Sequence, residues 1–334
     1  MAVSLKDVAQ AAGVSIKTVS NVVNDYPFVS DETRSRVQSV ISQMGYRPNL
    51  SARRLRKGRS GLIALSLPEI AAPYFAELAD QVVAAAEKRG LTVLIDKTGG
   101  QRGHEQIAAS GIRDNLVDGT IASPLAMTAR DVETLGRTHP LVLLGERLAH
   151  VAVDHVAIDS VGAARAATKH LIDIGRRVIA VIGTGDQISK TGRLRLHGYE
   201  EALADAGLPQ DPSLHGDAVW FHRPDGYAAM RRLLIHRPDI DGVFCFNDLL
   251  AIGALRALRE GGRRVPEDVA IVGFDDVEEC LYTSPPLTSV SPDKRAVAES
   301  AVELLVQRME DTGPMQPREV FPPYRLVIRE STGG

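Results

Sequence analysis

The first 48 residues carry apolar positions at helical spacing in three short stretches. Gly13 interrupts the first stretch, as a tight turn requires, and Ser15 is a candidate N-cap for the sequence IKTVSNVVN that follows. A third helix is predicted to open at Ser30 and to end at Gly45, before Pro48. The apolar stripe of the first helix consists of Leu5, Val8, Ala9 and Ala12.

Two short helices joined by a glycine-containing turn are typical of a helix-turn-helix. The valines of the second helix would face a small core, whereas Ile16, Lys17, Ser20 and Asn21 would face outward. Such a helix fits the major groove of DNA, where side chains can read base edges. The periodicity alone leaves open a small helical module for protein interaction.

From residue 60 onward, short apolar runs alternate with amphipathic helical patterns. This alternation is typical of parallel sheets covered by helices on both faces. About 270 residues exceed one such unit, so we predict an α/β fold with two doubly wound parallel-sheet subdomains; an eight-stranded α/β barrel is the rival. The predicted strands span 62–68, 91–98, 118–124, 140–146, 177–183, 242–248 and 269–276, and the clearest helices span 77–90, 163–175, 196–207 and 247–262.

Charge is distributed unevenly along the chain. The first 60 residues hold ten Lys or Arg and four Asp or Glu, a net charge of +6, whereas the whole chain carries −3. A small basic head on an acidic body indicates a polyanionic partner for the head, although a solvated basic face would give the same count.

Composition and motifs exclude several classes of protein. The chain has two cysteines, no apolar run near the ~18 residues of a membrane span and no signal-peptide pattern, so we expect a cytoplasmic location and no membrane partner. Ser189 stands where a P-loop needs glycine, the dinucleotide fingerprint lacks its third glycine, and nine histidines show no zinc spacing. We therefore expect no cofactor, no metal and no catalytic residue.

The N-terminal region resembles that of LacI/GalR-family bacterial transcription regulators, in the strings LKDVAQAAGVSIKTVSNVVN and VSDETRSRVQSVISQMGYRPNLSARRLRKGRSG. The resemblance implies that the second helix lies in the major groove and that Ile16, Lys17 and Asn21 read bases. Asn21 stands where the family commonly has arginine, and because Asn favours adenine, the operator half-site is expected to deviate from the usual family sequence. Positions matching phosphate contacts or supports of the groove helix are Ser15, Thr18, Asn24, Ser30 and Thr33.

Residues 49–60 form a second basic segment. Asn49 can cap a helix, but the nine residues NLSARRLRK are too few for a stable isolated helix, so a flexible linker is expected in the absence of DNA. The resemblance implies a hinge helix that folds on operator DNA. In that arrangement Leu55 would wedge a base step in the minor groove, with the small Ala52 beside it.

The resemblance continues through the core, in IDSVGAARAATKHLIDIG, GRLRLHGYEEAL, VFCFNDLLAIGALRAL and DVAIVGFDD. It favours a core similar to periplasmic sugar-binding proteins over a barrel, with crossing strands near 153–159, 285–291 and 318–323. The implied organisation is a helix-turn-helix head at 1–48, a hinge at 49–60 and a core at 61–334. Within the core, the N-subdomain takes about 61–158 and 290–318, and the C-subdomain about 159–289 and 319–332.

Ligands of open parallel sheets bind at the carboxyl ends of the strands. Arginine, carboxylate, amide and aromatic side chains follow several predicted strands, and together they can hold a polyhydroxyl ring. Asp248 is more readily explained as a helix N-cap than as a ligand contact. The candidate effector contacts are Tyr74, Phe75, Ser123, Glu146, Thr191, Arg195, Phe221, Asn247 and Asp275. The resemblance matches family effector contacts at Arg195, Phe221, Asn247 and Asp275, whereas Gly145 aligns where many sugar-responsive members carry an acid and Glu146 follows it.

These features predict a homodimeric transcription regulator, a repressor, in the cytoplasm and associated with the nucleoid. It would bind pseudo-palindromic double-stranded operator DNA under the control of a small-molecule effector, a sugar or sugar derivative. A solute-binding protein of transport and a sugar-modifying α/β enzyme are the alternatives. The sequence names neither the effector nor the operator, and it does not tell an inducer from a corepressor.

Overall fold

The chain divides into two units, Met1–Ser60 and Gly61–Gly334. The computed structural model describes residues 3–23, 26–46, 59–111, 116–145, 153–185, 189–218, 220–310, 313 and 316–334.

The first unit contains three helices: α1 (Leu5–Ala12), α2 (Ile16–Val23) and α3 (Asp31–Met44). Val8, Val19 and Val37 are fully buried at their centre. Gly13 and Gly45 end α1 and α3 in the left-handed region, with φ of 66° and 61°. Glycine has no Cβ to oppose this conformation, so both helices stop where the sequence predicted.

The first sheet of the second unit contains six parallel strands. They are β1 (Leu62–Leu67), β2 (Thr92–Lys97), β3 (Gly119–Ala122), β4 (Leu141–Leu144), β5 (Asp154–Val156) and β11 (Glu319–Val320). Their order across the sheet is β11-β5-β4-β3-β1-β2. β2 is therefore an edge strand, and its Ile95 side chain is 45% exposed.

The second sheet also has six strands. They are β6 (Ile179–Thr184), β7 (His215–Asp217), β8 (Gly242–Cys245), β9 (Ala270–Phe274), β10 (Thr288–Pro292) and β12 (Tyr324–Val327). Their order is β12-β10-β9-β8-β6-β7, and only β12 is antiparallel to its neighbour. Two separate open sheets confirm the predicted pair of subdomains, and the barrel alternative is wrong.

Helices cover both sheets. They are α4 (Pro73–Glu87), α5 (Arg102–Ala109), α6 (Ala129–Gly136), α7 (Ser160–Asp173), α8 (Lys190–Asp205), α9 (Arg223–His236), α10 (Asp248–Glu260) and α11 (Lys294–Glu310). Short 3₁₀ turns span Pro212–Leu214, Glu278–Leu281 and Glu330–Thr332. Each sheet has its own apolar core, since α4 and α11 pack on the first sheet and α7 to α10 on the second.

Two chain crossings lie a few residues later than the sequence predicted. The boundary expected near 290 falls inside β10, which pairs with β9 and β12 in the second sheet up to Pro292. The boundary expected after 318 precedes β11, which pairs with β5 in the first sheet. Buried Asp154 explains this second difference, because its carboxylate accepts hydrogen bonds from the Arg318 backbone at 2.8 Å and side chain at 2.6 Å.

No helix within the described ranges combines the length and apolar character needed to cross a membrane.

Candidate functional site

The outward face of α2 is the candidate surface for reading DNA. Ile16 is 48% exposed, Lys17 is exposed and Asn21 is half-buried. Val19 and Val22 pack inward from the same helix. Two of the three predicted base-reading side chains, Ile16 and Lys17, are therefore exposed on the head, and the third, Asn21, is partly exposed.

Four hydroxyl residues predicted to contact phosphate or support the groove helix form two helix caps in the head. Ser15 Oγ accepts a hydrogen bond from the Thr18 backbone at 3.0 Å, and Ser30 Oγ accepts one from the Thr33 backbone at 3.4 Å. The side chains of each pair also bond to each other, at 2.9 Å in both cases. Helix N-termini attract phosphate through their unpaired N–H groups. The caps fix those N-termini, which is consistent with the predicted role.

Five predicted site residues lie outside the described residues, and their roles stay predictions. They are Asn24, Asn49, Ala52, Leu55 and Glu146.

Arg195 is the central cation of the candidate effector site. It lies in α8, which Ser189 caps, and it is only 8% exposed. Its guanidinium donates a hydrogen bond to the Phe246 carbonyl oxygen, and its Cζ atom lies 3.5 Å from the centre of the Phe274 ring. The planar guanidinium is thus held in one orientation by a ring face and an acceptor.

Asp275 directly follows β9 and faces Arg195. Arg195 Nη2 and Asp275 Oδ1 are 3.9 Å apart, and the two side chains are 10% and 12% exposed. Burial raises the pKa of Asp275 to about 6, although the charges of Arg195 and Lys294 oppose that rise. Burial and the nearby charge of Asp275 also raise the pKa of Asp248 well above its usual range. The site therefore holds two acids whose ionisation depends on each other.

Asn247, rather than Asp248, caps α10. Asn247 Oδ1 accepts a hydrogen bond from the helix backbone at 2.9 Å, and its Nδ2 donates to the Phe221 carbonyl at 3.0 Å. The expectation that Asp248 is the cap is wrong, because the extended backbone that a cap needs belongs to Asn247, with φ of −151°. The buried Asp248 carboxylate instead accepts hydrogen bonds from Ser289 Oγ at 2.6 Å and Val277 N at 3.0 Å.

Aromatic side chains surround the same region. The rings of Phe221 and Phe246 lie 6.2 Å apart. Trp220, the only tryptophan of the chain, is 63% exposed beside Phe221. Tyr74 and Phe75 open α4 with their rings 5.4 Å apart, and Tyr74 packs against the apolar cores of both subdomains.

Ser123 and Thr191 are the two remaining predicted effector contacts among the described residues. Ser123 follows β3 of the first sheet, and its N–H donates to the Ser66 carbonyl at 2.9 Å. Thr191 lies in the first turn of α8, one helical turn before Arg195. The structure thus brings Arg195, Phe221, Asn247 and Asp275 together around Phe246 in the second subdomain.

The boundary between the subdomains carries polar contacts that sequence reasoning missed. Glu77 in α4 lies 2.8 Å from Lys294 Nζ and accepts a hydrogen bond from Glu278 N at 2.9 Å. Lys294 also donates to the Asp276 carbonyl at 2.8 Å. No sequence signal could have found these residues, because charged positions on a helix are normally solvated.

Comparison with known proteins identifies the class of the chain. Residues 4–49 match the family model for bacterial regulatory proteins of the lacI family, and residues 168–332 match a periplasmic binding protein-like domain. A helix-turn-helix head joined to such a core defines a class of bacterial regulators.

Relatives along almost the whole chain specify the family. The transcriptional repressor PurR of Haemophilus influenzae is 33% identical over 98% of this chain and 98% of its own length. The transcriptional regulator CelR of Thermobifida fusca is 37% identical over 97% of this chain and 95% of its own. A lac repressor dimer, solved bound to operator and the anti-inducer ONPF, matches with a TM-score of 0.87 at 26% identity, with 99% of each chain covered. The chain belongs to the lacI family of bacterial transcriptional regulators and is not an enzyme.

Proposed function

We propose that the chain is a homodimeric repressor whose affinity for a pseudo-palindromic operator is set by a small polyhydroxylated effector, a sugar or sugar derivative, bound between the two core subdomains. The observation that carries the proposal is the buried Arg195–Asp275 pair, 3.9 Å apart and bordered by Phe221 and Asn247. A fixed cation and anion can bind hydroxyl groups as donor and acceptor, and the rings can cover the C–H faces of a sugar. The structural relative CelR was solved with cellobiose.

The proposed DNA contact rests on the charge and exposed face of the head. Its net charge of +6 favours binding to phosphate, and Ile16 and Lys17 extend from α2 into solvent. A two-fold symmetric dimer places two heads on two half-sites, which gives the operator its pseudo-palindromic form. We place this activity in the cytoplasm, on nucleoid DNA.

The proposed dimer rests on apolar surface in the core. Leu281 and Tyr282, at the end of the 3₁₀ turn Glu278–Leu281, are 54% and 77% exposed, and the edge strand β2 exposes Ile95. Exposed apolar groups and an unpaired strand edge favour association with a second copy. Sedimentation at micromolar concentration should give a dimer, and a monomer or a stable tetramer would contradict it.

The proposed control is a two-state equilibrium. The effector would contact groups of both subdomains, such as Tyr74 and Arg195, and so favour one relative arrangement of them. Closure would then change the spacing of the two hinge segments and the affinity for the operator. Coupling of this kind is reciprocal: DNA must change the effector affinity by the same factor.

The test has two arms. Selection from random DNA should enrich one pseudo-palindrome with the full-length protein and none with residues 61–334. A thermal-shift screen of sugars, with cellobiose included, should raise the unfolding midpoint, because a ligand that binds only the native state stabilises it. If the protein binds an operator but no sugar raises its unfolding midpoint, the proposal that it is a DNA-binding regulator stands and the proposal that its effector is a sugar is contradicted.

A further inference from the structure

Two consecutive aspartates at the candidate effector site have a backbone conformation that side chains oppose. Asp275 has φ of 109° and Asp276 has φ of 48°, and they are the only non-glycine residues with positive φ in the described part of the chain. Such residues persist only where the surroundings fix them, and they concentrate at functional sites. Neighbouring groups must therefore hold the backbone of Asp275 and Asp276 at positive φ.

Asp276 is held at three points. Its N–H donates to Ser289 Oγ at 3.1 Å, and its carbonyl accepts a hydrogen bond from Lys294 Nζ at 2.8 Å. Its carboxylate accepts a hydrogen bond from Arg329 Nη2 at 2.7 Å, and the two side chains are 13% and 14% exposed. The Arg329 pair is the only one of these three contacts that involves the Asp276 side chain.

Arg329 is itself rigid. Its Nη1 donates to the Leu287 carbonyl at 2.7 Å, and its backbone N–H donates to Thr288 Oγ1 at 2.8 Å. The residues after it are anchored to the second sheet, because Ser331 Oγ donates to the Ile271 carbonyl of β9 at 2.7 Å. These contacts fix the position of the Arg329 guanidinium, so the ion pair sets the position of the Asp276 carboxylate.

We propose that Arg329 is a positioning residue for effector recognition: by binding Asp276, it holds Asp275 in the left-handed region with its carboxylate directed at Arg195. Four ionisable groups from four helices interact electrostatically with Asp275: Glu77, Arg195, Asp248 and Lys294. Without a partner of its own, the Asp276 carboxylate would compete with Asp275 for Arg195, and its bond to Arg329 prevents that competition. The inference rests on the function proposed above for the cleft.

A different role for Arg329 would be simple attachment of the C-terminal segment to the sheet. The variant Asp276→Gly distinguishes the two roles. Glycine adopts positive φ without penalty, so Asp276→Gly should permit the native turn even when the Arg329 charge is gone. Attachment of the C-terminal segment would gain nothing from that second change.

The experiment uses full-length protein and four variants: Arg329→Gln, Arg329→Lys, Arg329→Gln/Asp276→Gly and, as control, Arg295→Gln. Arg295 is an exposed arginine of α11 that pairs with Glu299 at 3.0 Å. Crystal structures without ligand give φ at Asp276 and the distance between Asp275 Oδ1 and Arg195 Nη2. Fluorescence of Trp220, the single tryptophan, reports binding of cellobiose as the probe sugar.

In Arg329→Gln we expect Asp276 to leave the left-handed region and the 3.9 Å separation to exceed about 6 Å, beyond which opposite charges act weakly on each other. Cellobiose affinity should fall by at least about tenfold, the loss of one charge-assisted contact. Arg329→Lys and the glycine double variant should restore most of the native geometry and most of the cellobiose affinity. Arg295→Gln should change neither the geometry nor the affinity.

Unchanged geometry in Arg329→Gln, or a double variant no closer to the parent than Arg329→Gln itself, overturns the positioning role whatever the sugar response. The proposed function is judged separately, on Asp275→Asn. If Asp275→Asn binds cellobiose like the parent, the placement of the sugar at Asp275 fails, and if the parent does not bind it, cellobiose is not the effector; in both cases the crystal structures still decide the role of Arg329.

Discussion

Replacement of Arg195 by methionine separates the charge of this residue from its packing. Methionine keeps an unbranched side chain that can lie on Phe274, but it removes the guanidinium that bonds to the Phe246 carbonyl and faces Asp275. Removing one partner of a buried ion pair costs about 3–5 kcal/mol. We expect about 3 kcal/mol, the low end of that range, because the separation of 3.9 Å is long for an ion pair.

The loss should depend on pH in a defined direction. Burial raises the pKa of Asp275 to about 6, and Arg195 opposes the rise, so Arg195→Met moves that pKa higher still. An acid whose folded pKa is raised contributes stability that is complete below its unfolded pKa of about 3.9 and is lost as pH rises through the folded pKa. The difference in unfolding midpoint between parent and variant should therefore grow from about pH 5 to about pH 8.

The assay is thermal unfolding of the full-length protein across this pH range, with Arg193→Met as control. Arg193 lies two residues earlier in α8 and is exposed. At about 2 °C per kcal/mol for a unit of this size, the midpoint should fall by about 6 °C at high pH. Any midpoint shift caused by sugar should disappear. A deficit that stays constant with pH would show that Arg195 acts through packing and the Phe246 carbonyl alone, and would refute the charge coupling.

Three further outcomes are expected. Gly183→Ala should lower the free energy of unfolding by about 2 kcal/mol or more in chemical denaturation, because the added Cβ would lie 2.4 Å from the Phe246 ring. Gly185→Ala is the control: it has the same φ of 128°, but its added Cβ would have its nearest contact at 3.4 Å, so the free energy of unfolding should fall less. Equal losses in the two variants would show that the positive φ, and not the contact with Phe246, causes the effect. Leu55→Ala should weaken operator binding far more than random-sequence binding at an unchanged unfolding midpoint, since an uncharged residue adds nothing to the phosphate contribution; a lowered midpoint with the specificity ratio kept would assign Leu55 to packing. Operator affinity should fall about 10³–10⁵-fold between about 50 and 200 mM salt if about 6–10 phosphates are contacted, and a flat response would exclude the basic head as the DNA contact.

Local patterns in the sequence determined the elements of both units. Gly13 and Gly45 end helices at positions where the chain has positive φ. Continuous apolar runs such as 62–68 and 177–183 become strands that are buried on both faces. These signals are local, since they depend on neighbouring residues and on burial of one stretch at a time. The α/β class and the helix-turn-helix head could therefore be predicted without tertiary information.

Tertiary structure alone decided the partners of the charged and polar side chains. Asp248 looks like a helix cap in the sequence, but the extended backbone falls on Asn247, and Asp248 becomes a buried acceptor for Ser289. Arg329 reaches Asp276 across 53 positions of the chain. The physical reason is that a hydrogen bond or ion pair depends on distances of a few ångströms, whereas the sequence records only residue type and order, so contacts between distant segments exist only once the sheets have formed.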